Sequence, residues 1–135
     1  MDFQLIGRIA PFLVDASMVT IELTVCSLLV GLVVATIVVI GRFSKLRTIR
    51  LLATAYVSIM RGTPVLVQLF LVFFGGPQLG FELTPFVAGV VTMGFNIGAY
   101  MSEGVKGAII AVDKGQTEAS RSLGFGRFDT MRLFI

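Results

Sequence analysis

Apolar and polar positions fall into blocks along this chain, and each block has its own period. Residues 19–40 are almost wholly apolar, with Glu22 the one charge, near the start. At 1.5 Å per residue this is roughly 33 Å of helix, enough to cross a hydrocarbon core of about 30 Å. Ser27, Gly31 and Ala35 recur every four residues, a stripe of small side chains along which a second helix can approach closely. Over residues 46–60 the period changes. Leu46, Ile49, Leu52, Ala53, Tyr56, Val57 and Met60 share one helical face, and Arg47, Arg50, Thr54, Ser58 and Arg61 spread over the other. This predicts an amphipathic helix lying in a membrane interface; the alternative is a tilted span that starts near Leu51.

Arg61-Gly62-Thr63-Pro64 marks a bend. Threonine caps helices and proline suits a first turn, so Thr63 is expected to cap a new helix. Residues 65–74 are too short to cross alone, so a second span over 56–75 has to borrow turns from before Pro64. Arg61 is expected at the inner interface or against protein, since arginine on lipid at mid-depth costs roughly 2.5–3.5 kcal/mol. A turn cluster follows at 75–80. Thr84-Pro85 repeats the cap-plus-proline start and opens a third span over 85–103. Gly94, Gly98 and Ser102 form a small-residue ridge on one side of that span. Thr92, Asn96, Tyr100 and Glu103 lie on the other, where a polar row has to face protein or a water-filled path. Two readings stay open: Asn96 bonds a neighbouring helix while Glu103 pairs with Lys106, or Asn96, Tyr100 and Glu103 touch a solute.

Composition narrows the class. The chain has 135 residues, 56% of them hydrophobic and 14% charged, which points to a membrane protein rather than a small soluble domain. The net charge of +3 is no sign of nucleic-acid binding, because the basic residues cluster beside apolar runs. Arg42, Lys45, Arg47 and Arg50 form one such block, and Lys106, Lys114, Arg121, Arg127 and Arg132 another. Placing both blocks inside leaves the N-terminus outside and residues 1–18 as an extracytoplasmic segment. The loop before Pro85 carries Glu82 and no lysine or arginine, which suits the outer side. No secretion signal is read at the start, so the N-terminus is taken as mature. Histidine is absent and Cys26 is the one cysteine, so neither a disulfide within the chain nor a histidine–cysteine metal site can form. Cys26 reads as a packing residue. With no nucleophile–base pair, paired carboxylates or phosphate-binding loop, no catalytic site and no cofactor are expected.

The expected fold is all-α: an integral membrane helical bundle of three spans with an interfacial amphipathic helix and a short cytoplasmic helix in a loop over 113–126. That loop is the polar part of the chain. Asp113 or Thr117 is expected to cap its helix, Glu118 to favour the positive N-terminal end, and Gly124 to close it in a left-handed turn. Ala119 and Ser120 leave a small surface, and Ser122 and Leu123 finish the turn. So little apolar surface would bind headgroups weakly, and docking against a protein is the better physical account.

Gly98-Ala99-Tyr100-Met101-Ser102-Glu103, Lys114-Gly115-Gln116, Glu118-Ala119-Ser120 and Leu123-Gly124 resemble the "EAA" coupling-loop region of ABC permeases for polar amino acids. Arg61-Gly62-Thr63-Pro64 followed by Val65-Leu66-Val67-Gln68 is similar to an upstream block of the same family, the histidine/glutamine/glutamate/arginine/opine group. The resemblance covers about residues 17–135. It implies a multi-pass permease subunit of an ATP-driven importer in the bacterial inner membrane. Its implied partners are a second permease copy or a different permease, a separate ABC ATP-binding subunit that binds the ATP, and an extracytoplasmic substrate-binding protein. Gly115, Gln116, Glu118, Ala119, Ser120, Leu123 and Gly124 would then seat in a groove of the ATPase and carry its motion to the spans. Two departures stand out. Ser120 replaces the family's alanine, and the chain stops at Ile135, before the leucine–proline and last two spans of the family. Phe125, Phe128, Met131 and Leu133 read as the approach to a fourth span, with its start at 127–135, and the chain as a fragment or truncated product. The competing expectations are a small oligomeric pore, a structural membrane protein, or an inactive truncated permease.

Overall fold

Helix α1 runs from Phe3 to Arg42 as one piece, in a computed structural model that describes residues 3–126 and 129–130. The N-terminal segment expected over 1–18 is therefore not set apart from the first span, since its described residues continue the same helix. The helix continues through Pro11, which supplies no N–H to it. The hydroxyls of Ser17, Thr20 and Thr24 each donate to the carbonyl four residues earlier, at 2.6, 2.8 and 2.7 Å, and Thr36 does the same to Leu32 at 2.8 Å. Such bonds hide polar groups against the helix itself, as a lipid-facing helix requires. A hydrocarbon core takes about 20 residues of helix. With Arg42 at one interface, the other falls near Glu22.

The remaining elements are α2 (Arg47–Gly62), α3 (Val65–Gly75), a 3₁₀ turn (Pro77–Leu79), α4 (Pro85–Ala111) and α5 (Lys114–Ser122). No strand occurs among the described residues, and the fold class is all-α as expected. The chain divides into two compact units, Met1–Ser102 and Glu103–Ile135. Among the described residues, only α1 is by itself both long and apolar enough to cross a membrane. Helix α4 has the length, but its run is diluted by glycines and by Thr92, Asn96 and Tyr100. The second crossing expected over 56–75 is not a straight span, because α2 and α3 meet at an angle of 102°. Proline lacks the N–H that would continue α2, and its ring pushes the residue before it into extended backbone. Thr63 accordingly sits at φ −116°, ψ 140° and Pro64 at φ −60°, ψ 135°.

The two small-residue stripes meet each other within the first unit. Gly94 packs on Val30 and approaches the Ser27 carbonyl; Gly98 packs on Val34 and the Gly31 carbonyl; Gly31 packs in turn on Ile97. A Cβ added at Gly94 or Gly98 would lie 2.6 Å from a valine Cγ1, closer than carbon atoms pack. The core is correspondingly made of small side chains: Ala35, Val38, Val39, Val57, Ala88 and Ala99, with Ser27 and Ser102 fully buried. Without a hydrophobic drive between helices in lipid, close backbone approach of this kind is what holds a pair together. At the start of α4, Thr84 Oγ1 accepts from Val87 N at 3.3 Å, the cap-plus-proline start read from the sequence.

Gly98→Val is expected to cost about 1–3 kcal/mol through overpacking and to lower the unfolding temperature of the detergent-purified protein. Gly104→Ala, where an added Cβ meets nothing within 4 Å, is expected to leave it unchanged or raise it. Thermal unfolding of the two variants side by side checks both.

Candidate functional site

The 102° elbow creates a polar problem that its neighbours solve. Because Pro64 has no N–H, the Met60 carbonyl loses its helical partner. Two side-chain amides replace it: Gln68 Nε2 donates to Met60 O at 2.9 Å, and Asn96 Nδ2 donates to the same oxygen at 3.1 Å. Asn96 Nδ2 also reaches Gln68 Oε1 at 3.2 Å. Gln68 Nε2 further approaches Thr63 O at 3.1 Å and Thr63 Oγ1 at 2.7 Å. Thr63 does not cap α3 as expected. Its hydroxyl donates back to Ile59 O at 2.9 Å, closing α2, and α3 begins behind Pro64 with no side-chain cap.

Two more contacts tie the elbow to α4. Tyr56 donates its hydroxyl to Phe95 O at 2.6 Å, and the Arg61 guanidinium stands 5.2 Å from the centre of the Tyr100 ring. Arg61 thus faces protein, one of the two placements expected of it, and the stacking favours a cation on an aromatic face. Gly62 is exposed with open space around its Cα. Of the polar row, Asn96 is half-buried and engaged by the elbow, Tyr100 is half exposed under Arg61, and Glu103 is half-buried one turn further along α4. Thr92 is 4% exposed, and its hydroxyl finds no partner among the described residues. It lines a cavity of about 170 Å³ with Met60, Gln68, Val72, Val91 and Phe95. The wall of that cavity is apolar, because the Thr92 hydroxyl is itself buried behind it. Gln68 was missed as a site residue. Its signal was present: a lone amide in the apolar run of α3, one turn after a proline.

In the second unit, α5 is closed at both ends. Asp113, and not Thr117, is its N-cap, with Oδ1 accepting from Gly115 N at 2.6 Å. A Cβ on Gly115 would lie 2.9 Å from that oxygen, so the cap depends on glycine there. At the other end Gly124 takes φ +85°, as expected. Phe125 N donates to Ser120 O at 3.1 Å and Gly124 N to Arg121 O at 3.0 Å, the paired bonds of a Schellman turn. Glu118 lies beyond the first turn, where the helix dipole has little effect; its side chain is exposed, as are Gln116 and Ala119. Ser120 corrects the sequence reading. It offers no outward surface, being fully buried with its hydroxyl 2.6 Å from Thr130 Oγ1. Thr130 in turn donates to Gly126 O at 2.9 Å. Leu123 by contrast is 71% exposed, an apolar side chain standing out at the tip of a polar helix. The expected start of a fourth span, with Phe128, Met131 and Leu133, lies outside the described residues apart from positions 129 and 130.

Fold and site together define a helical membrane component that carries a clasped elbow and, in a separate unit, an exposed polar helix capped at both ends. The chain belongs to the family of binding-protein-dependent transport system inner membrane components, which it matches over residues 12–135. It is 37% identical, over 98% of its own length, to the putative glutamine transport system permease protein GlnP of Rickettsia bellii (strain RML369-C), covering 63% of that protein. It is 40% identical, over 90% of its length, to the L-cystine transport system permease protein TcyB of Bacillus subtilis (strain 168), covering 52%. Its backbone is similar, with a TM-score of 0.89 and 35% identity, to the crystal structure of an amino acid ABC transporter with histidines; 98% of this chain and 62% of that one are covered. The chain thus spans less than two thirds of the length of these relatives.

Replacing Asn96 or Gln68 by alanine is expected to cost about 1–2 kcal/mol each. The double variant should lose more than the sum, since it alone leaves the Met60 carbonyl without a side-chain donor; a double-mutant cycle on unfolding reads the coupling. Gly124→Ala is expected to cost about 1 kcal/mol at its positive φ and to speed hydrogen exchange in α5 while leaving that of α1 unchanged.

Proposed function

We propose that this chain is the membrane-spanning part of a permease subunit in an ATP-driven amino-acid importer of the bacterial inner membrane, with α5 as its contact to a separate ATP-binding subunit. The observation that carries the reading is the form of α5. It is a short polar helix, pre-shaped by a cap at each end, with Glu118, Ala119 and Leu123 directed outward. Pre-shaping lowers the ordering cost of binding, and a lone exposed leucine amid polar groups is the kind of anchor that fills a partner's pocket. The relatives named for glutamine and L-cystine, together with a structural neighbour that is an amino acid ABC transporter, support an amino acid as the solute. Motion imposed on α5 by closure of the ATPases would reach the spans, and ATP would be bound by the partner alone. An extracytoplasmic binding protein and a second permease subunit complete the proposed assembly, with the N-terminus outside.

The polar row of α4 takes on a second meaning here. Asn96 holds the elbow in place, and with Tyr100 and Glu103 it stays a candidate for the solute path. An oligomeric pore built around this row has less support, because Asn96 is turned into the elbow rather than along an open face.

The test is copurification of the ATP-binding subunit with the tagged full-length permease. Glu118→Lys with Leu123→Asp leaves Asp113, Ser120 and Gly124 in place, so α5 still forms. A loss of at least about tenfold in bound ATPase, the scale of one interface anchor, is expected at unchanged membrane levels of permease. Undiminished binding would refute the assignment of α5.

A further inference from the structure

Helix α5 is joined to the chain on its two sides in unlike ways. Toward α4 the helix ends at Ala111, the chain bends at Val112, and Asp113 is extended at φ −60°, ψ 133°. Asp113 turns both its groups to α5 itself, Oδ1 accepting from Gly115 N at 2.6 Å and its carbonyl from Gln116 N at 3.1 Å. Among the described residues, no backbone hydrogen bond crosses from α4 to α5. The other end is bonded across. The Ser120 carbonyl accepts from Phe125 N at 3.1 Å, and the Ser120 hydroxyl lies 2.6 Å from Thr130 Oγ1. The proton between those two hydroxyls can be assigned. Thr130 Oγ1 donates to Gly126 O at 2.9 Å, which uses its one hydrogen, so Ser120 is the donor. The result is a relay from Ser120 to Thr130 to Gly126, and Thr130 N donates to the same Gly126 carbonyl at 2.9 Å.

Ser120 and Thr130 are both buried. Turning α5 against the chain beyond it would therefore strand a buried donor. The Val112–Asp113 junction carries no such penalty, and hinges are a few residues at the ends of elements that absorb a change of φ and ψ. We infer that Ser120 and Thr130 are positioning residues: their relay fixes α5 to the turn formed by Gly126 and Thr130, with Val112 and Asp113 as the hinge. The inference rests on α5 being the contact to the ATP-binding subunit, and it adds the direction in which a displacement travels. When the partner moves α5, Gly126 and Thr130 go with it, and the change of angle is taken up between Ala111 and Lys114. Motion passes forward along the chain rather than back into α4.

The experiment uses the full-length permease with its ATP-binding subunit and binding protein in proteoliposomes, in a Cys26→Ser background. Spin labels at Gln116 and Asp129 report on the bonded corner, and labels at Gly107 and Gln116 on the hinge; all three positions are exposed. Trapping the ATPases closed with ATP and vanadate is expected to shift the 107–116 distance and to leave the 116–129 distance unchanged. Ser120→Ala with Thr130→Val removes both hydroxyls and orphans neither, so the fold is expected to persist. In that variant the 116–129 distance should shift on trapping. Uptake of a mixture of radiolabelled L-amino acids per ATP hydrolysed should fall about fivefold, the scale of one net hydrogen bond, with the ATPase still bound. Thr130→Ser keeps the relay and should match the unaltered protein in both readouts. A 116–129 distance that shifts in the unaltered protein, a 107–116 distance that does not, or uptake per ATP unchanged in the double variant overturns the proposal alone. An ATPase that never copurifies with the unaltered permease overturns the reading of α5 and this inference with it.

Discussion

One carbonyl governs the first unit. Pro64 removes the N–H that the Met60 oxygen would have accepted, and in an apolar setting an unpaired carbonyl is among the most costly groups a chain can carry. The amides of Gln68 and Asn96 both converge on it, one from the helix that follows the break and one from α4. The same bonds that satisfy the break therefore fix its angle and its seat. The elbow of 102° is held from both sides, by Gln68 of α3 and by Asn96 of α4.

The seam between α1 and α4 makes this clasp possible. Asn96 can reach the elbow only because Gly94 and Gly98, on the far side of the same helix, let α4 press against Val30 and Val34. One helix thus uses its two faces for two kinds of bonding, dispersion through close backbone contact on one and hydrogen bonds on the other. Both are suited to lipid, where hydrophobic burial gives no net gain. The second unit follows a different logic. Its helix α5 is too short to persist by propensity, and its ends are held instead by Asp113 at the start and by Gly124 at the finish. The inward bond from Ser120 to Thr130 orients α5 so that Ala119 and Leu123 stay outside.

How far the sequence was legible depended on the range of the interaction. Asp113 and Gly124 bond within a few residues of themselves, and their types announce their roles. The stripes Ser27-Gly31-Ala35 and Gly94-Gly98-Ser102 were visible as periodicities, and burial of both follows from their spacing. The errors lay where partners are distant or where two local rules compete. Thr63 before a proline looks like an N-cap, yet its hydroxyl goes back to Ile59, because the extended backbone ahead of Pro64 turns it toward the helix it ends. Ser120 looked like a small outward residue, and only Thr130, ten positions on, draws it in.

The sequence by itself determined the all-helical membrane class, the position of the break at Thr63-Pro64, the caps of α5 and the small-residue faces, since each follows from local sterics or from a helical period. The tertiary structure alone decided that the break would bend through 102°, and that Asn96 would serve the Met60 carbonyl. It also decided which of the polar side chains of α5 look inward. Each of these depends on a polar atom being satisfied by a residue far along the chain. Such pairing is set by which helices can approach closely enough, a property no single segment contains.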